Sequence, residues 1–165
     1  MIRPVLQLPH RVLATPCAPV GEIDDTARAL GHDLLDTMRS SGHSVGVAAP
    51  QIGVSMRAFC VDVTGHRKAR SCHGPVVLFD AVVLESSTPE VGREGCMSVP
   101  DLTGDVARAT SLLVRGLGMD GELHSYEVDA FEARAFQHEL DHLDGLLFLD
   151  RVVADERIFR RRVYR

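Results

Sequence analysis

The chain has 165 residues, of which 45% are hydrophobic and 25% are charged, and its formal net charge is −5. This length suits a single domain spanning 1–165, and the charge gives no reason to expect a nucleic-acid partner. No signal peptide and no apolar segment of transmembrane length is visible, so we expect a cytoplasmic protein without membrane contact. In a reducing compartment the four cysteines are better interpreted as buried thiols or metal ligands than as two disulfides.

Apolar periodicity and turn residues divide the chain before residue 130 into short elements. Prolines exclude regular structure near the start. The predicted elements are, in chain order, an irregular arm at 1–21, an amphipathic helix from Asp24 to Ser41, strands at 56–63 and 75–84, a short strand with a buried thiol at 94–100, and a β-hairpin at 110–128 that turns at Asp120-Gly121.

Two stretches between these elements have more than one interpretation. Residues 44–53 are small enough for the backbone to approach a ligand or another strand closely, although a tight turn into a strand is the ordinary explanation. The loop between the two strands carries Cys72 and His73. We interpret them as surface residues, because adjacent residues on a polar loop are rarely metal ligands.

The segment AFEARAFQHELDHLDG, residues 130–145, predicts an uninterrupted helix. Asp129 is a good N-cap residue, and Glu132 stands three positions later, as in a capping box. Gly145 lies where a glycine commonly ends a helix. We therefore expect a helix with well-defined ends.

This helix contains His138, Glu139 and His142 in the pattern H-E-x-x-H. Residues four apart share one face of a helix, so both imidazoles can bind one metal ion while the glutamate transfers a proton from bound water. A bare H-E-x-x-H also occurs by chance, and a lone buried histidine is more often a core residue than a ligand.

Apolar residues cover a wide arc of the helix, and only Arg134, Gln137 and Asp141 mark a polar side. Such a helix packs from more than one direction, which predicts a central element with the histidines facing inward. The following segment 146–153 is apolar. Residues 155–165 are predicted to form an arginine-rich, solvated tail that is helical or frayed. Because strands precede the helix without βαβ alternation, we predict an α+β fold in which mainly antiparallel sheets enclose a central metal-binding helix.

The H-E-x-x-H pattern leaves a third metal ligand to be found. The extended pattern H-E-x-x-H-x-x-G-x-x-H is met at Gly145 but fails at Phe148. Glu156 is the only glutamate further downstream, and it lies among the arginines of the tail. The strongest upstream candidate is Cys96, which sits after Gly95 in a constrained run that can present one side chain and a neighbouring backbone N–H.

Three separated motifs coincide with one known family. The sequences GVAAPQIG at 46–53, EGCMSVP at 94–100 and QHELDHLDG at 137–145 resemble the signature motifs of peptide deformylases, in the same order and at similar separations. The resemblance covers nearly the whole chain, including Val106-x-Arg108 after the second motif. It implies the deformylase fold, in which sheets enclose a metal-bearing helix.

The resemblance implies that Cys96, His138 and His142 bind one divalent metal ion per chain, with water as the fourth ligand. The family commonly uses Fe(II), which is our first expectation, and Zn, Ni or Co can substitute. A thiolate with two imidazoles suits several of these ions.

The resemblance also implies roles for residues around the metal. Glu139 would be the general base and later the general acid. Gln51, through its side-chain amide, and Met97, through its backbone N–H, would bind the oxygen that gains charge. Val45 and Gly46 would line the substrate groove.

The implied activity is hydrolysis of the formyl group from N-formylmethionyl peptides. The arginine-rich tail adds a transient contact with the ribosome as a further partner to consider.

Ser44 replaces the usual opening glycine of the first motif, and residues 101–105 differ from some bacterial members. Because of these departures, an alternative hypothesis is that the protein hydrolyses another small N-formyl compound on the same scaffold. A third hypothesis is a non-catalytic metal-binding module, which would need a closed four-ligand site.

Overall fold

A computed structural model describes residues 1–161, and its fold consists of two helices and two sheets. The elements are, in chain order, α1 at Asp25–Ser40, β1 at Gly46–Ala48, β2 at Ala58–Val61, β3 at Val76–Ser86, β4 at Pro89–Cys96, β5 at Val99–Ala109, β6 at Ser111–Leu117, β7 at Leu123–Asp129, α2 at Ala130–Leu143 and β8 at Ile158–Arg160. One sheet has the order β1-β2-β3-β6-β7 and the other β4-β5-β8. All pairings between these strands are antiparallel, which confirms the predicted α+β class.

Helix α2 is the central element, as predicted, and it contacts strands of both sheets. Its Phe136 is fully buried and meets Phe59 of β2 edge to face, with 5.6 Å between the ring centroids. Burying an aromatic side chain of this size is a large favourable contribution, so the helix is held by the larger sheet along its apolar face. The opposite side of the helix faces the β4–β5 hairpin.

The C-terminal end of α2 agrees with the prediction. Gly145 follows the helix at a left-handed φ of 77°. A Cβ atom at this position would lie 2.9 Å from the carbonyl carbon of Ala14, so glycine is required both by conformation and by space.

The predicted capping box at the start of α2 is wrong. Asp129 occupies the N-cap position but its side chain makes no capping hydrogen bond. Glu132 is fully buried and accepts hydrogen bonds from Ser71 Oγ, at 2.8 Å, and from the backbone N–H of His73, at 2.9 Å. His73 is exposed at the surface, as predicted, but its ring also lies 2.7 Å from Glu132, so it helps to anchor the loop. The loop supplies donors that compete with the helix end for this carboxylate.

The second sheet is where the sequence prediction was least complete. The predicted short strand at 94–100 is the end of β4, a turn and the start of β5, within a long hairpin that the sequence analysis missed. The tail was predicted to be helical or frayed, but Ile158–Arg160 pairs with β5. The tail residues 162–165 lie outside the described part.

All four cysteines are free; Cys72 is exposed and the other three are buried. Within the described residues, neither helix is long and apolar enough to cross a membrane.

Candidate active site

The side chains of three residues selected from the sequence lie together on one face of α2. The Sγ of Cys96 and one ring nitrogen from each of His138 and His142 are within 4.8 Å of one another. The distance from Cys96 Sγ to His142 Nε2 is 3.4 Å. Around a single zinc-like ion, sulfur lies at about 2.3 Å and imidazole nitrogen at about 2.0–2.1 Å, so donor atoms 3 to 4 Å apart are expected. The arrangement is compatible with one metal ion.

The two elements deliver these groups for different reasons. His138 and His142 are four residues apart on α2, so both rings project from the same face. Cys96 is the last residue of β4, where the register with β5 shifts between Gly95 and Cys96 and the chain reverses. A bulge of this kind re-aims a side chain, and here it accompanies a thiol turned toward the helix.

A buried carboxylate behind the histidines organises the site. Glu94 accepts a hydrogen bond of 2.8 Å from His138 Nδ1, which leaves the other ring nitrogen for the side facing Cys96. Arg108 donates to both Glu94 oxygens, at 2.8 and 2.9 Å, and Arg134 donates to one of them at 2.8 Å. Burial alone would raise the pKa of Glu94, but the hydrogen bonds from Arg108 and His138 outweigh it and lower the pKa to about 2. The carboxylate is therefore charged at neutral pH.

The same network extends along α2 to Asp141. Asp141 was expected on the polar side of the helix, but it is buried. Arg108 donates to Asp141 at 2.6 Å and Arg151 at 3.1 Å, which compensates for burying the charge. Neither Glu94 nor Asp141 was predicted as a functional residue. The signal available in the sequence was general: a ligating histidine requires a partner for its second ring nitrogen.

The surroundings of the two histidines shift their pKa values in opposite directions. Burial disfavours a charged imidazole at His138, but hydrogen bonds to Cys96 and Glu94 outweigh it and raise the pKa of His138. At His142, burial and the neighbouring His138 lower the pKa. The negative charge of Glu94 therefore favours a positive charge at His138, which a metal ion bound to its other ring nitrogen would supply, while His142 favours the neutral form that a metal ligand requires.

Glu139 lies next to the cluster and is almost completely buried. Within residues 1–161 its Oε2 atom has no hydrogen-bond partner. Burial raises the pKa of Glu139 to about 7. A Cβ atom at Gly46 would lie 2.7 Å from Glu139 Oε1 and 3.0 Å from the carbonyl oxygen of Cys60, so glycine gives β1 the room to pass this close to the carboxylate. A buried, unpaired carboxyl group with a pKa near neutrality is suited to accepting and returning a proton.

Gln51 is fixed by hydrogen bonds on both ends of its amide. Its Oε1 accepts from the backbone N–H of Ala48 at 2.9 Å, so its NH₂ group points the other way. That group lies 3.4 Å from Cys96 Sγ and donates to Ser98 Oγ at 3.2 Å. The sequence prediction did not include Ser98, which is fully buried and in turn donates to the carbonyl of Leu6 at 2.7 Å.

Residues 6–8 join the short 3₁₀ helix Ala49–Ile52, which carries Gln51, to the β4–β5 turn, which carries Ser98. The N–H of Leu6 donates to the carbonyl of Gln51 at 2.8 Å, and the N–H of Leu8 donates to the carbonyl of Ser98 at 3.0 Å. The predicted irregular arm is therefore part of the framework of the site. These backbone bonds hold the Gln51 amide beside Cys96.

A cavity of about 370 Å³ opens next to the cluster. Its walls include all eight residues that the sequence analysis selected except His142, which lies deeper. The lining residues include Val45, Gly46, Gln51, His66, Arg67, Lys68, Cys96, Met97, Phe131, Ala135, His138 and Glu139. The apolar members can receive an apolar side chain, while the metal-binding cluster stands at one end.

Comparisons with known proteins find matches over nearly the whole chain. The family model described as polypeptide deformylase matches residues 2–157. A peptide deformylase of Desulforudis audaxviator is 40% identical over 159 residues, covering 96% of this chain and 96% of that protein. The crystal structure of peptide deformylase from Ehrlichia chaffeensis in complex with actinonin is 26% identical, with a TM-score of 0.87 and coverage of 94% and 91%. A class I type b peptide deformylase from Acinetobacter baumannii with Met-Ala-Ser bound is 34% identical, with a TM-score of 0.84 and coverage of 92% and 99%.

Proposed function

The chain belongs to the peptide deformylase family, and from this premise we propose that it hydrolyses the formyl group of N-formylmethionyl peptides and releases formate. The observation that carries the proposal is the buried, unpaired carboxyl group of Glu139 beside a cysteine and two histidines. A metal-binding cluster alone would fit many proteins. A proton acceptor with a pKa of about 7 at its side favours a hydrolase over a non-catalytic metal-binding module.

We assign Cys96, His138 and His142 as the ligands of one divalent ion, with Fe(II) as the proposed metal and Zn, Ni or Co as substitutes. When bound, such an ion would act as a Lewis acid toward the formyl oxygen and would lower the pKa of water. The protein supplies a deprotonated thiol, two imidazoles and the Glu94 carboxylate that orients His138. Three protein ligands leave one position for water or substrate.

Glu139 carries the proton in this mechanism. Its Oε2 atom has no competing hydrogen bond among the described residues, so it can accept a proton from the attacking water. With a pKa of about 7 it can then return the proton to the nitrogen of the departing amine. Gly46 allows this carboxyl group to remain close to the β1 backbone without steric conflict.

Gln51 and Met97 are proposed to bind the oxygen that gains negative charge. The amide of Gln51 is held with its NH₂ group toward Cys96. Met97 directly follows Cys96 in the chain and also lines the cavity. Donors held in place before the reaction stabilise a developing oxyanion without reorganisation. Met97 would contribute through its backbone N–H.

Replacing Gln51 with leucine is expected to reduce kcat by about 10²- to 10³-fold while KM changes less, because the donor acts mainly in the transition state. Steady-state kinetics on formyl-Met-Ala-Ser measure both parameters. Ser98→Ala removes one hydrogen bond that holds the Gln51 amide and should therefore also lower kcat, but by less than Gln51→Leu. A loss confined to KM in Gln51→Leu would make Gln51 a substrate-binding residue instead.

The cavity supports a peptide substrate with an apolar first residue. Val45, Phe131 and Ala135 offer apolar surface next to the cluster, and Val45 and Gly46 lead into the β1 strand. The Acinetobacter relative binds Met-Ala-Ser and the Ehrlichia relative binds actinonin in sites of the same fold. We propose that the methionine side chain enters this apolar region while the main chain follows the strand edge.

We also propose that the reaction takes place in the cytoplasm, with transient ribosome contact.

Formate release from three tripeptides tests the activity. The protein is kept anaerobic, because Fe(II) and a ligating thiolate are both open to oxidation. Each buried methylene contributes roughly 0.8 kcal/mol, so formyl-Met-Ala-Ser should exceed formyl-Ala-Ala-Ser by about 10- to 100-fold in kcat/KM. Acetyl-Met-Ala-Ser should be a poor substrate.

The same assay separates the alternatives. Equal rates on the two formyl peptides would favour the hydrolase of a small N-formyl compound, which Ser44 and residues 101–105 keep under consideration. No formate from either peptide, with one equivalent of metal bound, would contradict the proposed function and favour the metal-binding module.

A further inference from the structure

We propose that the mouth of the active-site cavity binds an acidic side chain of the substrate, located one or two residues after the formylmethionine, through Arg67 and Lys68. This inference rests on the proposed function and specifies which peptides the site prefers. It concerns the cavity wall formed by the loop between β2 and β3, away from the metal ligands.

The charges around the cavity are strongly one-sided. Its exposed charged lining residues are all cationic, namely Arg67, Lys68, Arg93 and Arg161. Its two carboxylates, Glu94 and Glu139, are both buried. The chain as a whole carries a net charge of −5, so this positive region opposes the overall charge. A cleft lined by one sign of charge raises the local concentration of ligands with the opposite sign.

Arg67 and Lys68 differ from Arg93 and Arg134 because their charges are not paired elsewhere in the described structure. Arg161 also forms no ion pair among residues 1–161, but it lies beside Gly95 of β4 and not on the loop between β2 and β3. Arg93 pairs with Asp105 at 2.7 Å, and Arg134, deeper in the cavity, pairs with Glu94 at 2.8 Å. Within residues 1–161, Arg67 and Lys68 form no ion pair and no side-chain hydrogen bond. Both side chains are exposed, so they can meet a ligand without first losing an internal partner.

The loop that carries these two residues is anchored on both sides of them. On one side, the ring of His66 stacks on Phe131, with 3.8 Å between the centroids and 8° between the planes. On the other side, Ser71 and His73 bind the buried Glu132. The two cations therefore stand at a defined place on the cavity wall.

The position of this wall identifies the part of the substrate that would meet it. Phe131 belongs to the apolar region that we assign to the methionine side chain, and His66 covers it from the side of the loop. Residues after the methionine must leave the cavity past its exposed mouth, where Arg67 and Lys68 follow His66 in the chain. An acidic side chain there would gain attraction, and a basic one would meet repulsion.

The expected size of the effect follows from charges in water. Two unit charges about 7 Å apart change binding by about threefold, and two cations together give up to about tenfold. Because the groups are exposed, this preference should decrease as salt shortens the screening length. An apolar or purely steric preference would lack this dependence.

Peptides that differ only in charge provide the first test. The substrates are formyl-Met-Ala-Glu amide, formyl-Met-Ala-Gln amide and formyl-Met-Ala-Lys amide, together with the series carrying the variable residue directly after methionine. The amide cap removes the terminal carboxylate, which would add its own negative charge. At low salt, kcat/KM for the Glu peptide should exceed that of its Gln counterpart by about five- to tenfold in at least one series. The ratio should approach one in about 0.5 M salt.

Charge reversal in the protein provides the second test. Lys68→Glu and Arg67→Glu should each reduce the preference for Glu over Gln by about threefold or more. Arg70→Glu is the matched control: Arg70 lies exposed on the same loop and outside the lining of this cavity, and the variant has the same change in charge. Equal rates for the Glu and Gln peptides in both series, or an equal effect of Arg70→Glu, would overturn the subsite.

The neutral peptide separates this inference from the proposed function. If formyl-Met-Ala-Gln amide releases no formate with metal bound, the proposed function fails. The subsite is then judged from the affinities of Met-Ala-Glu amide and Met-Ala-Gln amide, measured by calorimetry at low salt. Tighter binding of the Glu peptide would support the acidic subsite, and equal affinities would overturn it.

Discussion

Glu139→Ala is expected to retain one equivalent of metal and to lose about 10²- to 10⁴-fold in kcat. The reason is that Glu139 lies beside the three ligand residues but contributes none of the clustered donor atoms. Its carboxyl group is buried, its Oε2 atom has no partner among the described residues, and its pKa is about 7. Metal content by elemental analysis and formate release on the same preparation measure the two properties separately.

Glu139→Gln controls for the change in volume in that experiment. It keeps the shape of the side chain and removes its ability to accept a proton, so it should lose activity as Glu139→Ala does. Near-normal turnover in either variant, with metal bound, would contradict the proton-transfer role. Loss of metal from both would instead assign Glu139 to the coordination of the ion.

Cys96→Ala is expected to lose most of its metal and with it all measurable activity. Removing the thiolate leaves only two imidazoles, which is too few for a stable three-ligand site. A ligand that binds only the folded protein also stabilises it, by about 2.7 kcal/mol at a free concentration 100 times Kd. Added metal should therefore raise the Tm of the unaltered chain and leave that of Cys96→Ala nearly unchanged.

Cys72→Ala is the matched control, because Cys72 is a free, exposed cysteine on the loop between β2 and β3. It should keep its metal, its activity and its response to added metal. Full metal retention in Cys96→Ala would exclude Cys96 as a ligand and would require another third ligand.

Part of the site could be predicted because the information is local: the spacing of His138 and His142 on one helix follows from helical geometry alone. Cys96 lies 42 residues before His138, so its approach to the histidines was expected from the motif resemblance and not from local geometry. Helix α1 was also predicted well: Asp24 caps it by accepting from the N–H of Ala27 at 2.9 Å. Such features depend on residues within one or two turns of the chain.

The surrounding network could not be predicted in the same way, because its partners are distant in sequence. Arg108 meets Glu94 on the neighbouring strand and Asp141 on the helix, and only the tertiary fold decides which carboxylates it will pair. Glu132 could have accepted from the backbone N–H of Asp129 in a capping box. It accepts hydrogen bonds instead from Ser71 and His73, on a loop some 60 residues away in the sequence. The β4–β5 hairpin escaped detection because Met97 and Ser98, which form its turn, lack the usual hairpin turn sequence.

The hydrogen bonds between residues 6–8 and the site affect the stage of folding at which the active site is completed. Leu6 and Ser98 are separated by 92 positions, so the hydrogen bond between them must close a very long loop. Contacts of such separation form late, since the entropy of loop closure must be offset by structure that already exists. During synthesis the first residues must therefore wait for more than half of the chain. A growing copy of this protein would hold its Gln51 amide in the working orientation only after the β4–β5 turn has been made.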